Sequence, residues 1–259
     1  MTGSAVTERD VQLDTGCLVY AVVRAGKRDT LPPEGVDGQP LRLVTYGSVA
    51  AVVNEIALER PPGRRADLMA YSRVVDGLLA HGVVVPVQFG SVLPDEQSVV
   101  EEFLAPDARY FSDLLDELAG RAQFNVRATY HGDVPLAEIV ATDPAVAELH
   151  ARTRGQPEDA VFADRLRLGE LVAQAMDEKR DLDATTLCDA IVPLTDAHKL
   201  TMGSGLEVVL DLNVLVDDDR RAEFEERLED LAEAVHERMR LRLVGPVAPY
   251  DFVGELSWA

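Results

Sequence analysis

The chain has 259 residues, of which 47% are hydrophobic and 27% charged, a composition typical of a globular protein and too apolar for a disordered one. Acidic residues outnumber basic ones by 46 to 25, so the formal net charge is −21. Such a surface repels phosphate backbones and anionic lipid headgroups, and we therefore expect neither a nucleic acid nor a membrane among the partners. No apolar run approaches the roughly 18 residues that span a bilayer, and Met1–Asp14 lacks the apolar stretch of a signal peptide, which favours the cytoplasm.

The first third of the chain predicts strands followed by a helix. Cys17–Val23 is a short apolar run typical of a buried strand, and Leu41–Tyr46 with Ser48–Ile56 predicts a hairpin that turns at Gly47. An amphipathic helix is expected over Ala66–His81. Its apolar face comprises Leu68, Tyr71, Val75, Leu78 and Leu79.

Strands and helices continue to alternate up to residue 132. Val83–Phe89 predicts a strand, and its Pro86 cannot donate to a ladder, which indicates a sheet edge or a bulge. Two short helices are expected over Glu96–Leu104 and Asp107–Leu118, followed by a strand over Gln123–His131. This mixture predicts an N-terminal α+β domain over residues 15–132.

Helices open the second half. Helical pieces are expected after Asp133 and after Asp143, and a long helix over Glu158–Ile191. Apolar residues fall on two sides of that long helix, which predicts a helix packed between partners. One stripe is Phe162, Leu166, Ala173 and Met176; the other is Leu168, Val172 and Ala175.

The last quarter predicts a sheet with one helix. Leu206–Val216 alternates aliphatic with mostly polar residues, the pattern of a strand with one buried face, and Pro193–Met202 predicts another strand. Asp218–Arg240 predicts a helix, with Met239 on its apolar side, and Leu241–Val247 a final strand. This order predicts a modified ferredoxin-like domain over residues 133–259.

No sequence motif of catalysis or metal binding is present. The chain lacks GxxxxGK[ST], GxGxxG, GxSxG and HExxH, and none of its five histidines has another within three to five residues. Gly203-Ser204-Gly205 precedes a strand, whereas a nucleophile elbow follows one. We therefore expect no catalytic residue, no metal site and no cofactor.

Two segments are typical of binding surfaces. Gly245–Val253 places prolines beside Tyr250 and Phe252, a combination that lowers the entropic cost of an extended segment and adds contact area. Folding of this segment back onto the chain's own core explains the pattern equally well. The same two interpretations apply to Pro86–Gly90.

These segments resemble the gas vesicle protein F/L family. Val85–Gly90 (VPVQFG) is similar to its "lPvrFG" strand, and Gly245–Val253 (GPVAPYDFV) to its terminal "GPwpPYsFv" motif. Leu18–Val23, which contains Tyr20, is similar to the opening "lYaiv" strand, and the resemblance extends from about Cys17 to Val253. The residues that carry these motifs are Tyr20, Pro86, Phe89, Gly90, Gly245, Pro246, Pro249, Tyr250 and Phe252.

The resemblance implies two α+β domains, the second with a modified ferredoxin-like fold, and no enzymatic activity. It further implies a role in forming gas vesicles through contact with the small hydrophobic shell protein, and it gives other gas vesicle accessory proteins as further partners. The location would be the cytoplasm and the gas vesicle. Two alternatives remain open: a ferredoxin-like enzyme of the dimeric α+β barrel oxygenase type, and a small-molecule sensor domain.

Overall fold

The computed structural model describes residues 15–26, 31–201, 205 and 207–254, so the expectations for Met1–Asp14, Met202 and Leu206 lie outside it. Contacts between Cα atoms divide the chain into two compact units: residues up to Gly120 together with those from Ala248 on, and Arg121–Val247. Helices accompany an antiparallel sheet in each unit, which confirms the α+β class. The predicted domain limits, 15–132 and 133–259, stay a prediction. No helix in the described ranges is both long and apolar enough to cross a bilayer.

The sheet of the first unit is centred on the apolar run near the start of the chain. Its strands are β1 (Thr15–Arg24), β2 (Arg42–Tyr46), β3 (Val49–Ala57), β4 (Val85–Pro86) and β5 (Val92–Leu93). The order is β2-β3-β1-β4, and β5 also pairs with β1. As predicted, β1 is a buried strand and β2 and β3 form a hairpin. Gly47 takes a φ of +58° in that turn, a conformation that favours glycine.

Helices cover this sheet. They are α1 (Arg65–Leu79), α2 (Glu96–Ser98) and α3 (Ala105–Leu118), with a 3₁₀ turn at Val36–Gly38 and a π-helical turn at Val99–Leu104. The two helices predicted between residues 96 and 118 thus form one helical run through the π turn. The apolar face predicted for α1 packs on the core except for Leu68, which is 46% exposed. Asp67 takes the inward position there, because its carboxylate caps the helix by accepting from the backbone N–H of Gly63 and Arg64.

The second unit has ferredoxin-like connectivity. Its strands are β6 (Arg121–Tyr130), β7 (Ala197–Leu200), β8 (Val208–Asp217) and β9 (Met239–Val247), in the antiparallel order β7-β8-β6-β9. Its helices are α4 (Val134–Thr142), α5 (Pro144–Thr153), α6 (Phe162–Ile191) and α7 (Arg221–Val235). The chain therefore runs strand, helices, strand, strand, helix, strand. The strand β6, expected in the N-terminal domain, pairs here with β8 and β9.

Three expectations for this unit are wrong. Helix α7 ends at Val235, and Met239 is instead a buried residue of β9, where it pairs with Tyr130 of β6. The helix α6 has its buried residues only near its C-terminal end, and Phe162 and Leu166 are 68% and 60% exposed. The β8 strand is buried on both faces: Leu210, Leu212 and Val214 lie in the core, and Asn213 on the other face donates to the Thr201 hydroxyl.

Candidate functional site

The first motif segment forms an edge of the sheet in the first unit. Pro86 lies in β4 opposite Ala21, and β4 ends the strand order, which confirms the predicted edge position. Val87 N–H donates to the Tyr20 carbonyl at 3.0 Å. Gly90 then takes a φ of +93°, a left-handed conformation that lets the chain leave the sheet.

Tyr20 is placed by a β-bulge. Val19 pairs with Val53 and Ala21 with Val52, so Tyr20 has no partner residue in β3. Its fully buried hydroxyl donates to the side-chain oxygen of Asn54 and accepts from Val36 N–H at 2.7 Å. Tyr20 therefore ties β1 to β3 and to the 3₁₀ turn, a structural role.

An aromatic cluster of Tyr20, Tyr71, Phe89 and Tyr250 joins the two motif segments. The Tyr71 ring stacks on Tyr20 with centroids 4.8 Å apart and meets Phe89 edge-on at 5.1 Å. The Tyr71 hydroxyl donates to the Val87 carbonyl at 2.5 Å, and it also shares a hydrogen bond with Tyr250. We call this set the aromatic cluster; Tyr71 is its centre, and sequence reasoning saw Tyr71 only as part of a helix face.

The hydroxyls of the aromatic cluster are neutral donors. Burial raises the pKa of Tyr20 to about 12 and that of Tyr250 to about 12, and burial also raises the pKa of Tyr71. Since each hydroxyl is protonated at neutral pH and bonded to a neighbour, none is placed to act as a base. The cluster can anchor chain segments and offer contact area.

The C-terminal motif is divided between the units. Gly245 and Pro246 belong to β9, whereas Ala248 and Pro249 are buried in the first unit, Ala248 within its core. Phe252 is half-buried, and Tyr250 is 45% exposed although its hydroxyl reaches Tyr71. The segment after Val247 thus folds back onto the chain's own core, the second of the two interpretations, while one face of Tyr250 stays open.

A cluster of charged side chains that no sequence motif predicted lies in the second unit. Arg238 Nε donates to Glu138 at 2.7 Å and Arg238 Nη2 to Asp183 at 2.9 Å; Lys179 lies 2.6 Å from Glu138, and the Tyr130 hydroxyl donates to Asp183 at 2.7 Å. Burial opposes ionisation of Glu138, but hydrogen bonds from Lys179 and Arg238 prevail and lower its pKa. The one signal in the sequence was the four-residue spacing of Lys179 and Asp183.

This charge cluster has a structural role. It joins α4, α6, the end of β6 and the start of β9, and each carboxylate already accepts from cations or a hydroxyl. Across the described part of the chain, no group of three His, Cys, Asp or Glu side chains is arranged to hold a metal ion.

A polar cleft of about 630 Å³ lies in the first unit at the start of α1. Two ion pairs line it, Arg60 with Asp37 at 2.5 Å and Arg64 with Asp67 at 3.6 Å. Backbone hydrogen bonds from Arg64 and Gly63 hold the pKa of Asp67 below its usual value. Asp67 is therefore held as the ionised partner of Arg64, which is not the state that a general acid requires.

Comparison with known proteins identifies the family. A family model described as gas vesicle synthesis protein GvpL/GvpF matches residues 16–254. The chain belongs to this family. It is 28% identical over 239 residues to gas vesicle protein F of a Streptomyces species, covering 91% of this chain and 98% of the relative. It is 26% identical over 272 residues to gas vesicle protein L1 of Halobacterium salinarum, covering 98% of this chain and 95% of the relative.

Solved GvpF structures share the fold. The crystal structure of GvpF from an Anabaena species superimposes with a TM-score of 0.83 at 18% identity, covering 93% of this chain and 99% of that one. The crystal structure of GvpF from Microcystis aeruginosa gives a TM-score of 0.75 at 17% identity, covering 92% of this chain and 98% of that one. This chain is accordingly a GvpL/GvpF protein involved in gas vesicle formation.

The GvpL/GvpF motif residues occupy two places in the structure. Tyr20, Phe89 and Tyr250 meet in the aromatic cluster, and Pro86 and Gly90 frame the adjoining edge. Gly245 and Pro246 lie in β9. Their role in binding a partner stays a prediction.

Gly245 is required by a close backbone approach. A Cβ atom there would lie 2.4 Å from Phe124 Cδ1 and 2.9 Å from the Gln123 carbonyl oxygen, and the φ of Gly245 is +157°. The Phe124 ring is fully buried and cannot move aside. We expect Gly245→Ala to lower the free energy of unfolding by about 2 kcal/mol, as overpacking does. Urea denaturation measures this, with Gly169→Ala, at an open helical position, as the control; equal stability of the two variants would contradict the steric argument.

Proposed function

We propose that this chain binds the small hydrophobic shell protein of gas vesicles and assists nucleation or formation of the shell without catalysing a reaction. The observation that carries the proposal is the GvpL/GvpF match over residues 16–254. The site geometry supports it, because the aromatic cluster anchors Tyr250, which is 45% exposed and can contact a partner. The proposed location is the cytoplasm and the gas vesicle, with other accessory proteins as further partners.

The physical need for such a protein follows from the shell. A subunit that builds a wall with an apolar, gas-facing side exposes apolar surface before assembly and tends to aggregate. A chain with a net charge of −21 keeps a complex dispersed. In the described part of the chain, the sheet edges at β4 and β9, near the two motif segments, offer main-chain groups to a partner strand.

Tyr250 and Phe252 provide the first test of this proposal. Tyr250 is 45% exposed and Phe252 half-buried, so both can contact a partner while the segment stays folded. We expect Tyr250→Ala/Phe252→Ala to weaken capture of the host's shell protein by the immobilised chain by about tenfold, because aromatic anchors carry much of the binding energy at interfaces.

Tyr46→Ala is the matched control. Tyr46 is similarly exposed, at 42%, but lies on β2, outside both motif segments. Its variant should capture the shell protein as the wild type does. If the double variant is folded by circular dichroism and captures the shell protein fully, Tyr250 and Phe252 are not part of the binding surface.

A further inference from the structure

An apolar groove lies between α7 and β9 in the second unit. It has a volume of about 230 Å³ and is lined by Glu225, Leu228, Glu229, Ala232, Leu241 and Leu243. Leu228 is buried, whereas Leu241 and Leu243 are half-exposed, so the floor is apolar and open to solvent. The two glutamates belong to α7 and supply the groove's charged wall.

The groove runs along a free sheet edge. In the described part of the chain, β9 pairs with β6 alone and ends the strand order. His131 N–H donates to the Arg238 carbonyl at 3.0 Å, which fixes residue 238 as one that bonds toward β6. Because antiparallel ladders alternate, Arg240 and Arg242 also bond toward β6, and the backbone groups of Leu241 and Leu243 point outward.

Leu241 and Leu243 therefore offer a partner both their side chains and their backbone groups. Leu241 and Leu243 place their side chains in the groove and direct their N–H and C=O groups away from the sheet. A strand laid along β9 can form main-chain hydrogen bonds with both residues while its alternate side chains enter the groove. Pro246 carries no N–H, so the usable edge is the short stretch Met239–Leu243.

The negative charge of the groove wall favours a partner segment that carries a basic residue. Glu225 is already paired with Arg221 at 2.9 Å, whereas Glu229 is exposed on the groove wall. A segment with apolar residues at alternate positions and a lysine or arginine beside them complements this wall. A second copy of this chain is disfavoured by its net charge of −21.

We propose that an extended apolar segment of the shell protein, bearing a basic residue, adds to β9 as a further strand and seats its side chains in the α7–β9 groove. This inference rests on the proposed function and adds a second contact to the one at Tyr250 and Phe252. The segment is recognised by three features: main-chain bonding along Met239–Leu243, apolar residues at every second position, and a cation opposite Glu229.

Ala232→Phe tests the groove. Ala232 lines the groove from α7, so a phenyl ring there fills the space without removing any core side chain. Ala234→Phe adds the same ring to an exposed position of α7 outside the groove and is the matched control. We expect Ala232→Phe to weaken binding of purified shell protein by about tenfold or more, since blocked anchor pockets cost most of the affinity, and Ala234→Phe to leave it unchanged.

Charge reversal gives a second, independent measurement. Glu229→Lys should slow association with the shell protein and reduce its salt dependence, whereas Glu226→Lys, an exposed α7 residue outside the groove, should do neither. If a folded Ala232→Phe variant binds the shell protein fully, the groove is not the binding site, and the proposed function is unaffected. Failure of the wild-type chain to bind shell protein overturns both. Self-association of the wild type that Ala232→Phe abolishes identifies a second copy as the occupant and also overturns the inference.

Discussion

Replacing Tyr71 with alanine should lower the free energy of unfolding of the first unit by about 4 kcal/mol, the typical cost of deleting a buried aromatic side chain. Tyr71 is 1% exposed, stacks on Tyr20 and contacts Phe89. Its loss leaves a cavity and removes the donor to the Val87 carbonyl. Tyr250 loses its hydrogen-bond partner in the same step, so the C-terminal segment should loosen as well.

Native-state hydrogen exchange checks this expectation, because it reports each unit separately. Amides of β1 should lose protection in Tyr71→Ala, and amides of β8, in the second unit, should keep theirs. Tyr71→Phe retains the ring contacts and should cost only about 1 kcal/mol, the worth of a single hydrogen bond. Unchanged β1 protection in Tyr71→Ala would show that the aromatic cluster does not stabilise the unit.

Local patterns predicted the parts of the fold that local chemistry decides. The apolar run of β1, the turn at Gly47 and the edge position of Pro86 depend on residues close together in the chain, and all three are confirmed. The end of α7 reflects long-range pairing instead, because the chain from Met239 on pairs with β6, beginning at Tyr130. No periodicity within Asp218–Arg240 carries that information, so the helix was predicted too long.

The pairing of strands was the other feature that the sequence pattern could not predict. The strand over residues 123–131 was predicted, but whether it pairs forward or backward in the chain depends on contacts with β8 and β9, about 80 to 120 residues away. The same limit applies to the candidate site. The motifs pointed to Tyr20, Phe89 and Tyr250, whereas Tyr71, which brings them together, looked like any apolar residue of a helix.

The charge cluster of the second unit brings together residues that are far apart in the chain, so the sequence pattern did not predict it. It gives the second large expected effect. Asp183 is 8% exposed and accepts from both Arg238 and the Tyr130 hydroxyl. Asp183→Ala should lower the free energy of unfolding of that unit by about 3 kcal/mol, because the guanidinium and the hydroxyl lose a buried acceptor. The value lies at the lower end for a broken buried pair, since the Arg238 side chain is 36% exposed and water can reach it.

Asp181→Ala is the matched control, an exposed aspartate two residues away on α6, and should change stability by no more than about 0.5 kcal/mol. In Asp183→Ala, hydrogen exchange should accelerate in β6, while β1 in the first unit keeps its protection. Asp183→Asn should fall between the two variants, because its amide oxygen can still accept a hydrogen bond but its charge is gone. If Asp183→Ala and Asp181→Ala unfold at the same urea concentration, the ion pair with Glu138 alone suffices to hold Arg238, and Asp183 does not stabilise the unit.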